Sequence, residues 1–285
     1  MDREGAPRMT RQPIYPGLER IGEGALADRI VEWFRGPAAE ARLIGERIEI
    51  GGADLYVKGS PFPARVRLRH ALRRRVLRRA LPRLSEFANF SWLRGQGFGA
   101  PEPVVAGAFW KGGLPRYQFL ATHWVVPARP LRSALAGATV AQRAAIATAL
   151  AEELARLHAS GFVHRDLYPR NLLVEPVGLR YRLVFLDAWR GGPRRQLRGA
   201  AWDLACLFLE GTSLFTFDEQ ALLLDAYLAS SSEAGRPVVA RRLFAAIEHA
   251  RTKLERRARR QARKDLAPID RPFERERLLG TLALR

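Results

Sequence analysis

The chain has 285 residues, 47% hydrophobic and 27% charged, which provides a substantial core and excludes a disordered or fibrous protein. Lys and Arg number 48 against 29 Asp and Glu, a formal net charge of +19, so the surface attracts phosphate-rich partners. A single cysteine, Cys206, excludes an internal disulfide framework, no apolar run approaches the roughly 18 residues of a membrane span, and MDREGAPRMTR lacks the apolar stretch of a signal peptide. The expectation is a cytoplasmic protein that can touch a membrane without crossing it.

In chain order, RQPIYPGLERIGEG reads as a turn-rich entry. Leu26, Ile30, Trp33 and Phe34 then recur at three- and four-residue steps and predict a short helix. ARLIGERIEI and DLYVKGS predict two strands joined at Gly51-Gly52 as a hairpin, with Leu55 and Val57 alternating with Tyr56 and Lys58. Between Arg65 and Arg83 there are nine arginines and no acid. A helix is predicted over 84–93, stopping at Gly95, with Leu84, Phe87, Phe90 and Leu93 on one stripe and Glu86 as its one carboxylate. Pro101 and Pro103 break the chain before two apolar strands, VVAGAFW and YQFLATHWVV, separated by a Gly112-Gly113 turn.

The pattern then becomes helical. Thr139 and Gln142 form a capping-box signature for a helix running to Ser160, with Val140, Arg143, Ala147, Leu150, Leu154 and Leu157 on or near one stripe. Two short strands, 172–174 and 183–186, flank a turn containing Pro176 and Gly178, and helices are predicted over 199–211, 218–229 and 238–264. Pro127 and Pro130 mark the change of pattern. The division expected is an extension over 1–39, a strand-rich lobe over 40–128 and a mainly helical lobe over 129–285.

FVHRDLYPRNLLV sets Asp166 and Asn171 five residues apart between a helix and a strand, and LVFLDAWR sets Asp187 at the end of the next strand. Phosphoryl transfer to a hydroxyl needs this inventory: one carboxylate for the alcohol, then a carboxylate and an amide oxygen to hold Mg2+ against ATP phosphates. Zinc is disfavoured, because five scattered histidines and one cysteine form no ligand set.

HRDLYPRN has the H-R-D-x-x-x-x-N pattern of the protein-kinase-like catalytic loop. With DLYVK, the basic stretch, the acidic helix, LRGQGFGAPEPVVAG, LARLHASGFVHRDLYPRN and LDAWR, the chain resembles the bacterial lipopolysaccharide kinase family over about residues 40–210. Members of that family phosphorylate Kdo or heptose of the inner core. The resemblance implies an α+β, bilobal protein-kinase-like fold, ATP and Mg2+ as cofactors, and a glycan acceptor. By position it implies Asp166 as catalytic base, Asn171 and Asp187 as metal ligands, Lys58 as the lysine on ATP phosphates and Glu86 as its helix partner. His164 and Arg165 would support the loop, and Asp203 would brace it through backbone N–H groups.

Three departures from ordinary protein kinases stand out. Ala188-Trp189 follows Asp187 in place of Phe-Gly, no G-x-G-x-x-G precedes Lys58, and Tyr168 stands where a catalytic-loop lysine is usual. A turn near Gly45 or Gly51-Gly52 is expected to cover phosphates, and Arg170 or Arg190 to supply the missing charge. The tracts 65–83 and 251–264 read as solvated helix faces or as docking surfaces for the anionic inner leaflet. Neither interleaves aromatic residues, so no nucleic acid is expected. A Ser/Thr protein or small-molecule kinase, or a nucleotide-binding pseudokinase adaptor, stands as the alternative reading.

Overall fold

The computed structural model describes residues 17–193, 197–211, 214–231, 236–260 and 273–283. The expectations for 1–16 and 261–264 lie outside the described residues. The chain divides into two compact units between Val125 and Val126.

The first unit contains β1 (Leu18–Ile21), α1 (Ala25–Ala39), β2 (Ile44–Ile50), β3 (Ala53–Pro61), α2 (Ala64–Arg75), α3 (Pro82–Gly95), β4 (Pro103–Lys111) and β5 (Leu114–His123). Its five strands form one antiparallel sheet in the order β1-β4-β5-β3-β2. The β2–β3 hairpin turns at Gly51 and Gly52, whose φ angles of 61° and 78° suit residues without a Cβ. Residues 18–39 contribute an edge strand and a helix that covers one face of the sheet.

Strand alternation decides which side chain goes where. Leu55 and Val57 lie in the core under α1 with Ile30, Phe34, Tyr117 and Phe119, and Phe34 stacks on Phe119 with centroids 4.7 Å apart. Gly59 continues this row, where a Cβ would fall 2.2 Å from Tyr117 Oη. Lys58, one residue out of step, points to the opposite face, where it meets α3. The strand expected over 117–126 ends at His123, ahead of Pro127. The arginine tract folds as α2 plus a connection, and α3 starts at Pro82, which tolerates the first helical turn because its missing N–H has no partner there.

The second unit contains β6 (Arg129–Pro130), α4 (Leu131–Ala136), α5 (Val140–Ala159) and β7 (Phe162–Val163). A 3₁₀ turn (Pro169–Asn171), β8 (Leu172–Val177), β9 (Arg180–Phe185), a second 3₁₀ turn (Ala188–Arg190) and β10 (Gly192–Pro193) follow. The unit closes with α6 (Leu197–Gly211), α7 (Phe217–Ser231), α8 (Arg236–Arg260) and α9 (Arg275–Ala283). Thr139 and Gln142 make both bonds of the capping box that starts α5. Ala147, Leu150, Leu154 and Leu157 are fully buried, whereas Val140 sits exposed at the first helical position and does not join the stripe. Arg143 instead ties α5 to α7 through both Glu219 oxygens, at 2.6 and 2.7 Å. The β8–β9 hairpin is longer than expected: Pro176 lies inside β8, and the chain turns at Gly178 with φ 59°.

The result is a bilobal α+β protein, strand-rich toward the N-terminus and helical toward the C-terminus, of the kind the protein-kinase-like pattern implied. No helix among the described residues is long and apolar enough to cross a membrane.

Candidate active site

In the first unit, Lys58 Nζ donates to Glu86 Oε1 at 2.8 Å. The Glu86 carboxylate is fully buried, and its second oxygen accepts from Arg83 Nη1 one helical turn earlier. One buried anion thus holds two cations. Gln118 braces the start of α3: its Oε1 accepts the Arg83 N–H at 3.3 Å and its Nε2 donates to Ser60 Oγ at 3.2 Å.

The two turns proposed for phosphates are now distinguishable. Gly45 pairs directly with Lys58 across the β2–β3 ladder. The Gly51-Gly52 turn closes the other end of the hairpin, about 20 Å along the strand at roughly 3.3 Å per residue, too far to act beside Lys58. The chain enters β2 from α1, so no glycine-rich hairpin precedes it.

In the second unit, the HRD segment is held by a buried carboxylate 38 residues later. Asp203, on α6, accepts the backbone N–H of His164 on Oδ2 at 2.7 Å and that of Arg165 on Oδ1 at 2.6 Å. Arg165 has a positive φ of 65°, costly for a residue with a Cβ, and Trp202 Nε1 donates to its carbonyl at 3.3 Å. The peptide groups on both sides of this unfavourable residue are therefore restrained by α6.

His164 is fully buried, with its side-chain bonds directed at the main chain. Its Nε2 reaches the Leu186 carbonyl at 2.9 Å, and its Nδ1 accepts the Asp166 N–H at 3.3 Å. Because a carbonyl only accepts and an N–H only donates, the proton sits on Nε2 and the ring bridges the loop to the residue before Asp187. His158 packs at the C-terminal end of α5, where its Nε2 donates to Asp203 Oδ2 at 3.3 Å and its Nδ1 lies 2.8 Å from Tyr227 Oη. No local signal could reveal that chain, which joins residues 158, 203 and 227.

Asn171 Nδ2 donates to the Asp166 carbonyl at 2.8 Å, which leaves Oδ1 as the atom of the amide that could take a cation. The Asn171 carbonyl in turn accepts the Leu186 N–H at 2.8 Å, and Leu172 pairs with Phe185. Asn171 and Asp187 are therefore carried on adjoining ends of the β8–β9 hairpin, with Asp187 in the left-handed region at φ 57°. This carboxylate and amide pair fits a hard cation that takes oxygen ligands. Among the described residues no group of three or more His, Cys, Asp or Glu side chains could hold a metal alone, so phosphates and water would complete the shell, as suits Mg2+.

The two candidate arginines part company. Arg190 stacks on Trp189 at 4.5 Å and brings Nη1 to 3.5 Å from Asp166 Oδ1, close to the carboxylate without a short bond to it. Arg170 covers the Tyr168 ring at 4.2 Å and donates to Glu210 Oε1 at 2.6 Å. Tyr168 turns inward toward Cys206. Burial, and then the Cys206 group beside it, push its phenol well above the usual range, so it brings no charge to the loop. Burial followed by the nearby Asp203 and Asp166 charges pushes the Cys206 thiol up as well, which makes it an inert packing residue.

The fold and this loop define a protein-kinase-like protein. The sequence profile of the Lipopolysaccharide kinase (Kdo/WaaP) family matches residues 64–227, and the chain belongs to that family. The matched span contains Glu86, Asp166, Asn171, Asp187 and Asp203, while Lys58 lies six residues before it.

The structure of WaaP in complex with acyl carrier protein superposes with a TM-score of 0.54 at 18% identity, covering 84% of this chain and 98% of that one. It therefore shares the fold. The bifunctional kinase-methyltransferase WbdD aligns at TM-score 0.44 and 17% identity, covering 82% and 46%. A divergent Toxoplasma kinase lacking the glycine-rich loop aligns at 0.39 and 12%, covering 75% and 81%. No curated protein matches the sequence significantly.

Proposed function

We propose that this protein is an ATP- and Mg2+-dependent kinase that phosphorylates a sugar hydroxyl, Kdo or heptose, of the lipopolysaccharide inner core, on the cytoplasmic face of the inner membrane. The observation that carries the proposal is the loop from His164 to Asn171. Asp203 fixes its backbone, the Asn171 amide is oriented by the Asp166 carbonyl, and the Asp166 carboxylate is left with no hydrogen bond shorter than the 3.5 Å contact to Arg190 among the described residues.

In this reading Asp166 orients the acceptor hydroxyl and takes its proton. Asn171 Oδ1 and the Asp187 carboxylate would hold the cation, which would supply charge neutralisation at the phosphates. Lys58, positioned by Glu86, binds nucleotide phosphates. Arg190 supplies positive charge to the transferring phosphoryl group in place of the loop lysine that Tyr168 replaces. Membership of the lipopolysaccharide kinase family supports the acceptor class.

The test is transfer of labelled phosphate from ATP, with Mg2+, to Kdo-lipid, heptosylated core, a generic protein substrate and an aminoglycoside. Transfer to one of the core glycans is expected. Transfer to protein or aminoglycoside alone overturns the acceptor class, and Mg-ATP binding without transfer to any of the four favours an adaptor.

A further inference from the structure

α2 is inserted between β3, which carries Lys58, and α3, which carries Glu86, and its polarity is inverted with respect to the unit it packs on. Its covered side is buried Ala71 with part-buried Val66, Arg67, His70 and Arg74. Arg67 Nε donates to the Phe62 carbonyl at 2.8 Å, Arg74 Nε donates to Glu19 Oε1 at 2.6 Å, and the His70 ring lies 5.0 Å from that of Phe62. Its outward face carries both leucines of the helix, Leu68 61% and Leu72 52% exposed, continued by Val76 at its C-cap, 72% exposed, and Leu77, 57% exposed.

A helix that only faced water would do the reverse, with leucines inward and arginines outward. At 3.6 residues per turn, Leu68, Leu72 and Val76 form one stripe, with Arg75 on one side of it and Arg69 and Arg73 on the other. Arg65 lies within the same outward half. No acid occurs anywhere from Arg65 to Arg83, so the apolar stripe is accompanied by cations, Arg65 at its first turn and Arg69 and Arg73 along one margin, with no compensating charge.

We infer that α2 lies on the surface of an anionic lipid bilayer. Leu68, Leu72, Val76 and Leu77 enter the acyl boundary, and Arg65, Arg69 and Arg73 reach lipid phosphates. Long arginine stems let the guanidinium groups stay at the headgroup level while the helix centre sinks below it, and a bilayer presents these two layers in that order. A soluble acidic protein would match the charge and leave the apolar stripe to find a separate pocket. The inference does not depend on the kinase reading, since binding is read without nucleotide or acceptor.

The experiment is cosedimentation of the full chain with vesicles of phosphatidylglycerol and phosphatidylcholine, beside phosphatidylcholine alone and soluble polyglutamate. The wild type is expected to bind the anionic vesicles and prefer them to polyglutamate. The double change Leu68→Ser with Leu72→Ser should weaken partitioning by about tenfold or more. The double change Arg69→Gln with Arg73→Gln should weaken it by about fivefold per arginine at low salt, less at high salt. Because Cys206 is the one cysteine and is buried, a nitroxide attached at Leu72→Cys reports depth directly. On anionic vesicles it should become shielded from a water-soluble relaxation agent. Absence of wild-type binding, equal affinity for polyglutamate, or a nitroxide that stays water-exposed on the vesicles overturns the inference. Unchanged partitioning of the double serine variant overturns the insertion of the stripe. None of these results bears on phosphate transfer, so the two readings fail separately.

Discussion

Asp203 holds the main chain at His164: its carboxylate accepts that residue's N–H at 2.7 Å and, through its other oxygen, the N–H of Arg165. It acts on the loop that carries Asp166 without belonging to it. Asp203→Asn keeps one acceptor and turns an NH2 toward a second donor. We expect a loss of about 2–3 kcal/mol in urea-midpoint stability. At a temperature where the variant is folded, turnover should fall while Mg-ATP affinity from titration changes little. Equal turnover of folded variant and wild type would remove the positioning role.

The sharing of Glu86 between Lys58 and Arg83 separates stability from nucleotide binding. Lys58→Met leaves Arg83 on the carboxylate, so the fold should be nearly unaffected while ATP affinity drops by about ten- to a hundredfold. Glu86→Ala removes the anion from two largely buried cations and should cost about 3 kcal/mol or more. Thermal melts beside nucleotide titration distinguish the two variants. A large stability loss in Lys58→Met would contradict the division of labour.

Asp166→Asn and Asp187→Asn should differ in kind. The first is expected to keep most Mg-ATP affinity and lose roughly 10²-fold or more in single-turnover transfer, because its work is on the acceptor proton. The second removes a cation ligand, so Mg2+-supported nucleotide binding and transfer should fall together.

Arg190 and Arg170 provide a matched pair. Arg190→Met should lower kcat by roughly 10²-fold with little change in KM for ATP or in stability, since its guanidinium stands beside Asp166. Arg170→Met should leave turnover near wild type and lower stability, because the buried Glu210 loses its bonded cation. Reversed results would move the missing charge to Arg170.

Glu219 predicts an acid limit to stability. Its hydrogen bonds from Arg143, ahead of those from Thr216, hold its carboxyl below the usual 4.5. A depressed folded-state value means the contribution is present above about pH 4.5 and is lost as pH falls through the lower folded value. The stability gap between wild type and Glu219→Gln, from urea midpoints, should be greatest near neutrality and shrink below pH 4.5. A gap that does not change with pH would show that the ion pair contributes nothing.

Local pattern was enough to read the β2–β3 hairpin, the capping box of α5 and the HRDLYPRN motif, and the fold class followed from the family resemblance that this motif anchors. Each rests on residues within a few positions of one another: alternation under a strand, Gly-Gly at a tight turn, Thr139 with Gln142, and HRDLYPRN. The same pattern showed the charge excess of the 65–83 tract, since charge can be read without knowing direction.

Only the tertiary structure decided what depends on long-range pairing or on the face a side chain takes. Composition could not tell that α2 turns Leu68 and Leu72 outward and Arg67 and Arg74 inward, because orientation follows from what the helix packs on. Nor could spacing tell Arg190 from Arg170, which differ in whether Glu210 lies within reach. The link from Tyr227 through His158 to Asp203 joins residues from three parts of the chain. Such contacts form because side chains of α5, α6 and α7 meet as buried polar groups that must be satisfied, and that requirement acts in space and leaves no periodic trace in sequence.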